Sequence, residues 1–343
     1  MKIMHVLSSN RYSGAENVVT FIIKHLKNDY DFIYCSEKGQ IEKILNEEEI
    51  PYNLVDKASF RNIKYLIKKE NPDIIHAHDV KATLICALLK EKRKLISTIH
   101  VNNSNMAKFN LKTLLLLVCS TRVDHFFWVS NSCFENYKFK KFIINKSEIL
   151  NNILSYDEVN YKASLDSEKY DYDVVYIGRL DYQKDPERLM EILKSISVRN
   201  DCYKIAIVGV GEYSNYVLDY IDKYKLKNIV YLGYKNNPLK ILKDSKVMIM
   251  TSRFEGTPMV ALEALALGIP IVSTPVDGMK DLIINNYNGY ITDDNSLIIS
   301  HITEIIENKS MQNYLSANAV KVFMKKCNVE EYLKKIRKEY DNV

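Results

Sequence analysis

Twice along this chain, short apolar runs alternate with stretches of helical spacing, and few folds accept that pattern. The first series runs KIMHVLSS, YDFIYC, YNLV, DIIHA, LISTIH and HFFWVS, with helices expected from the first loop to about 27 and near 40–48, 63–69, 80–90 and 112–120. The second runs DVVYIG, KIAIVG, NIVYLG, VMIMT, IPIVST and YNGYIT, again with helices between, then two helices over about 297–323 and a charged one over 330–340. Apolar runs of this kind suit strands buried on both faces, and the interleaved helices supply the cover, so each series predicts a parallel sheet. The stretch 147–170 is polar and interrupts the rhythm. It is expected to hold the boundary between two doubly wound α/β domains, and 343 residues suffice for both.

Other classes are excluded by what the chain lacks. No run approaches the roughly 20 apolar residues of a membrane span, and LLLLVC at 114–119 is far too short. The amino terminus enters a strand pattern directly, so no signal peptide is expected. Six cysteines are scattered without a C-x-x-C pair, which argues against a zinc ribbon or a disulfide framework and fits a reducing, cytoplasmic setting. The formal charge is only +5, but Lys and Arg cluster from Lys81 to Lys146 with few acids among them. Such a cluster is either a solvated face or a patch for an anionic surface, lipid headgroups or a pyrophosphate-linked acceptor. No nucleic-acid-binding motif accompanies it.

Open α/β sheets bind ligands beyond the carboxyl ends of their strands, so candidate residues are sought there. Gly14 follows the first strand and would let backbone approach a phosphate as a helix opens. His76-Ala77-His78 follows the fourth, without a third ligand nearby in sequence, so no metal is expected there. His100 ends the fifth strand. In the second series, Arg179 and Lys184 share the loop Gly178-Arg179-Leu180-Asp181-Tyr182-Gln183-Lys184, and two cations there suit a leaving diphosphate. Gly209-Val210-Gly211-Glu212 and Gly233-Tyr234 close the next two strands; neither has the third glycine of a dinucleotide fingerprint, which makes an oxidoreductase a poor reading.

The richest stretch is TSRFEGTPMVALEALALGIP, 251–270. A strand, VMIMT, enters a loop, and a helix is expected with Thr257 as N-cap and Pro258 in its first turn, ending at Gly268. Glu255 lies in the loop and Glu263 in an otherwise apolar helix, where a carboxylate needs a polar partner. Eight helical positions span roughly 12 Å, about the reach from ribose to hexose in a nucleotide sugar, with free amides between to suit a diphosphate.

These residues resemble the E-x7-E signature of retaining glycosyltransferases of family 4, which have the GT-B fold of two Rossmann-like domains facing across a cleft. F-E-G-x-P before the helix, A-L-G-x-P-[IV]-V after it, G-R-L-x-x-x-K, and the T-x-H at His100 carry the likeness. Ser13 departs from it, standing where the family usually has the first glycine of G-G-A-E. The resemblance implies a domain at 1–160 on the acceptor side, a nucleotide-sugar domain at 161–328, and a last helix, 329–343, crossing back onto the first. It implies that Glu255 contacts the donor sugar and Glu263 the ribose, and that Gly256, Thr257, Pro258, Met259 and Val260 line sugar and phosphate. Arg179 and Lys184 would hold the diphosphate, Gly14 would bring backbone close to a phosphate, Gly209, in a turn like the family's V-G-x-G-E, would line the donor site, Tyr234 would flank the base, and His100 would contact the donor sugar or the acceptor at the reacting centre. The implied activity is transfer of a hexose from a nucleotide-diphosphate sugar, expected to be UDP-linked, to a glycan or lipid-linked glycan in capsule or exopolysaccharide synthesis. The enzyme would need neither cofactor nor metal and would sit peripherally on the inner face of the plasma membrane. A nucleotide-sugar epimerase and a non-catalytic nucleotide-sugar-binding subunit are the alternatives. The Asp171-Tyr172-Asp173 motif, which resembles a metal site of another glycosyltransferase fold, falls at the amino end of its strand and is expected to be structural.

Overall fold

The computed structural model describes residues 1–9, 14–100 and 104–342, in two compact units. The first comprises Met1–Ile153 and Val329–Val343. Its strands are β1 (Lys2–Val6), β2 (Asp31–Glu37), β3 (Tyr52–Val55), β4 (Ile74–Ala77), β5 (Lys94–Ile99), β6 (His125–Trp128) and β7 (Ser147–Ile149). They pair in the order β3-β2-β1-β4-β5-β6-β7, every pairing parallel. The intervening helices are α1 (Gly14–Leu26), α2 (Ile41–Glu47), α3 (Phe60–Glu70), α4 (Val80–Leu89), α5 (Leu111–Ser120) and α6 (Asn131–Glu135). Their starts follow from local chemistry: Ser59 caps α3, Asp79 caps α4, and Asn110 with Thr113 forms a capping box on α5. On one face of the sheet Ile75, Leu95, Phe126 and Trp128 meet Ile63, Cys86 and Leu116 in a continuous core.

The second unit, Leu154–Asn328, opens with α7 (Tyr156–Ser164). Then follow β8 (Tyr172–Ile177), α8 (Pro186–Arg199), β9 (Ile205–Val208), α9 (Ser214–Lys223), β10 (Ile229–Gly233), α10 (Leu239–Lys243) and β11 (Ser245–Met250). The series ends with α11 (Met259–Ala266), β12 (Ile271–Ser273), α12 (Asp277–Lys280), β13 (Gly289–Ile291), α13 (Asn295–Glu307) and α14 (Lys309–Lys326). Its sheet is also parallel, in the order β10-β9-β8-β11-β12-β13. Val174, Ile207, Val247 and Ile249 pack against Leu189, Leu193, Ile298 and Ile302 from α8 and α13.

The last helix, α15 (Val329–Asp341), belongs to the first unit. It buries Tyr332, Leu333, Ile336 and Tyr340, and for Leu and Ile such burial contributes about 1.5–3 kcal/mol each. Arg337 pairs with Asp29 at 2.6 Å, Lys335 with Glu148 at 3.0 Å, and Tyr30 donates to Asp341 at 2.7 Å.

Three expectations are corrected. The polar stretch 147–170 carries β7 and α7, so the units divide between Ile153 and Leu154 and not at 160. Ser155 caps α7, whose Val159 and Ala163 are buried beside α10 and α11. β1 ends at Val6, short of Ser9. And α11 begins at Met259, one residue later than expected, with Pro258 at the N-cap position and no side-chain cap. Among the described residues no helix is long and apolar enough to cross a membrane.

Candidate active site

In the second sheet β8 lies between β9 and β11, so the chain leaves it to one side and returns on the other. The carboxyl ends of β8 and β11 therefore flank a topological switch point, the place where such sheets take a ligand. The Gly178-to-Lys184 loop leaves β8 there, and the loop bearing Glu255 leaves β11.

Backbone braces the first of these loops. Gly178 N–H donates to Val208 at 3.0 Å, Leu180 N–H to Val210 at 3.1 Å, Tyr213 N–H to Leu180 at 3.0 Å, and Gly209 N–H to Gly233 at 2.8 Å. A Cβ on Gly209 would lie 1.9 Å from the Gly178 carbonyl oxygen, and one on Gly211 would lie 2.1 Å from that of Leu180. No side chain fits at either position. Gly209 adds a φ of +133°, which L side chains rarely adopt.

Lys184 and Glu255, 71 residues apart, form an ion pair whose side chains are 12% and 7% exposed. Glu255 also accepts from Ser252 Oγ at 2.7 Å and from Gln183 Nε2 at 3.3 Å. The loops are further tied by Arg253 N–H to the Gln183 carbonyl at 2.8 Å and Gln183 Nε2 to the Phe254 carbonyl at 3.0 Å. A carboxylate so buried and so well partnered is fixed in place. Arg179 turns to Asp181, at 2.9 Å, and to Gln183, at 3.2 Å, with over half its side chain exposed. The two cations are thus not a free pair awaiting an anion, because each already has a carboxylate.

Past Glu255, Gly256 and Thr257 are half-buried and Pro258 is buried. Gly256 packs backbone to backbone on α12: a Cβ on Gly278 would fall 1.3 Å from the Gly256 carbonyl oxygen. The first amides of α11, Met259 and Val260, have no acceptor among the described residues, as expected of a helix N-terminus that receives an anion. Glu263 lies half-buried one turn further on. Burial raises its pKa to about 7, with Lys162 opposing, and no hydrogen-bond or ion-pair partner holds its carboxyl among the described residues. Tyr234 is exposed just past β10, after Gly233 with φ +63°. The Asp171 and Asp173 carboxylates are held at the other end of β8, by Lys204 at 2.6 Å and Lys246 at 2.7 Å.

In the first unit Gly14 is the first residue of α1, and Ser13 lies outside the described residues. His100 is half-buried directly after β5. Burial lowers its pKa to about 4, with the Asn152 side chain opposing, so the ring is neutral near pH 7. It ends a hydrogen-bonded string. His100 Nε2 meets His78 Nδ1 at 3.2 Å, and His78 Nε2 meets His5 Nδ1 at 2.8 Å. Tyr340 Oη of α15 lies 3.5 Å from His5 Nε2 and 2.8 Å from His76 Nδ1, and His76 Nε2 reaches Thr98 Oγ1 at 2.8 Å. A neutral ring has one N–H and one acceptor nitrogen, so the string fixes the orientation of His100 and makes the tautomers of its rings interdependent, His100 Nε2 donating when the string runs one way and accepting when it runs the other. His5, His76 and His78 bring three ligand atoms within 4.8 Å of one another, all buried.

Several residues of these arrangements were not singled out from sequence. Ser252 and Gln183 hold Glu255, Asp185 pairs with Arg253 at 2.8 Å, and His5 joins the histidine string. Gly278 carried a signal, a lone glycine past a strand end, but the contact it makes depends on which loop lies above it.

Comparison with known proteins agrees across both units. Residues 12–149 match the family model "Glycosyltransferase Family 4" and residues 157–322 match "Glycosyl transferases group 1". An uncharacterized glycosyltransferase of Methanocaldococcus jannaschii is 26% identical over 100% of this chain and 99% of its own. The Escherichia coli UDP-Gal:alpha-D-GlcNAc-diphosphoundecaprenol alpha-1,3-galactosyltransferase is 25% identical over 99% of this chain and 96% of its own. Among solved structures, Anabaena HepE in complex with UDP superposes with a TM-score of 0.85 at 17% identity, covering 100% of both chains.

Proposed function

The chain belongs to the group 1 glycosyltransferases, with a family 4 amino-terminal half and the GT-B fold, and from that premise we propose a retaining hexosyltransferase that uses a UDP-linked sugar and needs no metal. The observation that carries the reading is the second unit's strand edge. There a fixed Lys184–Glu255 pair, the amides of Met259 and Val260, and Glu263, the amides and the last carboxyl without a hydrogen-bond partner among the described residues, succeed one another in the order proposed for sugar, diphosphate and ribose.

In this reading the Glu263 carboxylate accepts from the ribose hydroxyls. The α11 amides and Lys184 bind the diphosphate, Arg179 leaving Asp181 to join them, while Gly209 brings backbone close to it. Glu255, released in part from Lys184, orients the hexose, and Tyr234 flanks the base. His100 is the first unit's candidate for contact with the sugar or the acceptor. The bond from C1 to the diphosphate oxygen breaks as the acceptor hydroxyl bonds to the same face of C1. The acceptor proton passes to the departing phosphate oxygen, so configuration is kept. The relatives' printed names, which speak of capsular polysaccharide, amylovoran and GlcNAc-diphosphoundecaprenol, support a glycan or lipid-linked glycan acceptor. The basic surface of the first unit supports an anionic membrane as the place of work.

Two cations and a helix N-terminus stand where a metal would otherwise neutralise the leaving group. Turnover is therefore expected to survive exhaustive EDTA treatment, and the double variant Asp171→Asn/Asp173→Asn should keep it, because both carboxylates are engaged by lysines at the far end of β8. Activity lost to EDTA and restored by Mn²⁺ or Mg²⁺ would overturn metal independence. The direct test of function is a thermal-shift screen of nucleotide sugars, then product analysis by mass and by the anomeric proton coupling. An inverted anomer would overturn retention, and sugar conversion without an acceptor would point to an epimerase.

A further inference from the structure

The first unit has an apolar face that its core does not use. α5 buries Thr113, Leu116 and Cys119 on one side. Leu111, Leu114, Leu115 and Val118, spaced to share the opposite side, face outward, with Leu111 72% and Val118 60% exposed. Phe109, just before the cap of α5, is 71% exposed, and Phe142 is 74% exposed; Phe139 bridges the two rings, with centroids at 5.9 and 6.4 Å. Single exposed apolar side chains are ordinary, but a run of this extent marks an interaction surface.

Its charge says what kind. Over 104–146 the sequence has seven Lys and Arg against two acidic residues. Part of the basic character is spent within the unit: Lys90 pairs with Asp124, Lys140 with Glu135, and Lys146 donates to the Val123 carbonyl. Lys108, Lys112, Lys138 and Lys141 are exposed and have no ion-pair partner among the described residues. A second copy of the chain docked face to face would bring these lysines against their own kind. An anionic bilayer would not, because it offers an apolar interior beneath a layer of negative charge, and lysine stems can lie along the one while their ends meet the other.

We propose that this face docks the enzyme on an anionic lipid bilayer, with α5 lying in the interface, Phe109, Leu111, Leu115, Val118 and Phe142 entering the acyl region, and the four unpaired lysines holding the headgroups. The proposal rests on the membrane reading above and adds insertion to it. α5, with 10 residues, is about 15 Å long, which suits a helix lying in the interface and is too short for one crossing it.

The chain's single tryptophan, Trp128, is buried in the core and reports little of the surface. Phe109→Trp and Phe142→Trp therefore place reporters on the face. With phosphatidylcholine vesicles containing phosphatidylglycerol, their emission should shift to the blue and be quenched by lipids brominated on the acyl chain. Leu111→Ser/Val118→Ser should weaken vesicle binding about tenfold while leaving the melting temperature and its rise with UDP unchanged. Salt-sensitive binding without quenching, and without an effect of the serine variant, would overturn insertion and leave the electrostatic reading standing. No binding to any vesicle would overturn both. A dimer in sedimentation that the serine variant abolishes would make the face a contact between copies and overturn the proposal.

Discussion

Lys184→Ala is expected to lower turnover at least tenfold, since a charged hydrogen bond to the leaving diphosphate contributes about 1.5–3 kcal/mol. The same change should also destabilise the second unit. Glu255 would be left as a buried carboxylate without its cation, and breaking such a pair costs about 3–5 kcal/mol. The lower end applies here, because Ser252 and Gln183 still donate to the carboxylate. The two effects separate in Lys184→Met/Glu255→Gln. That variant removes both charges and should recover most of the melting temperature while turnover stays low. Donor kinetics of Lys184→Ala equal to those of the parent would remove Lys184 from the diphosphate site.

Glu263→Gln is expected to weaken UDP binding about tenfold at pH 8, whereas Glu255→Gln should change it little; the reverse pattern would exchange the roles of the two carboxylates. The pH dependence follows from burial. Folded, Glu263 titrates near 7; unfolded, at the ordinary 4.5. Between these values the folded chain keeps a proton that the unfolded chain has released, so this group's contribution to stability is greatest below 4.5 and is lost as pH rises through 7. Ribose hydroxyls are donors and need the ionised carboxylate, so UDP affinity should rise as pH passes 7. Calorimetric titration across that range measures the affinity, and melting curves measure the stability. In Glu263→Gln both trends should flatten; an unchanged slope in affinity would place the ribose elsewhere.

Both sheets were legible in the sequence because strands buried on two faces leave unbroken apolar runs, as IAIV of β9 and VMIM of β11 do. β7 and α7 were not. β7 is a three-residue edge strand, half-buried throughout, and Val159 and Ala163 are the buried residues of α7, so neither imposes a pattern on its neighbours. The same division holds at the site. Glu255 and Glu263 belong to one continuous stretch whose spacing can be read directly. The Lys184–Glu255 pair exists because β8 and β11 are adjacent across the switch in strand order, which no local spacing encodes. The histidine string is more remote still. It needs His5 opposite His76 in the register of β1 and β4, and then Tyr340 from the far end of the chain.

That last contact bears on the order in which the protein matures during synthesis. Domains generally fold as units while the chain is made, the amino-terminal one first. Here the first unit emerges early but lacks Leu333, Ile336 and Tyr340, which close its core and its histidine string. It must wait, with that surface uncovered, while the ribosome makes the whole of Leu154–Asn328. The second unit is continuous in sequence and meets no such delay. The half of the molecule translated last is therefore expected to reach its native state first, and a released chain ending at Asn328 should resist protease in its second unit while its first remains open to attack.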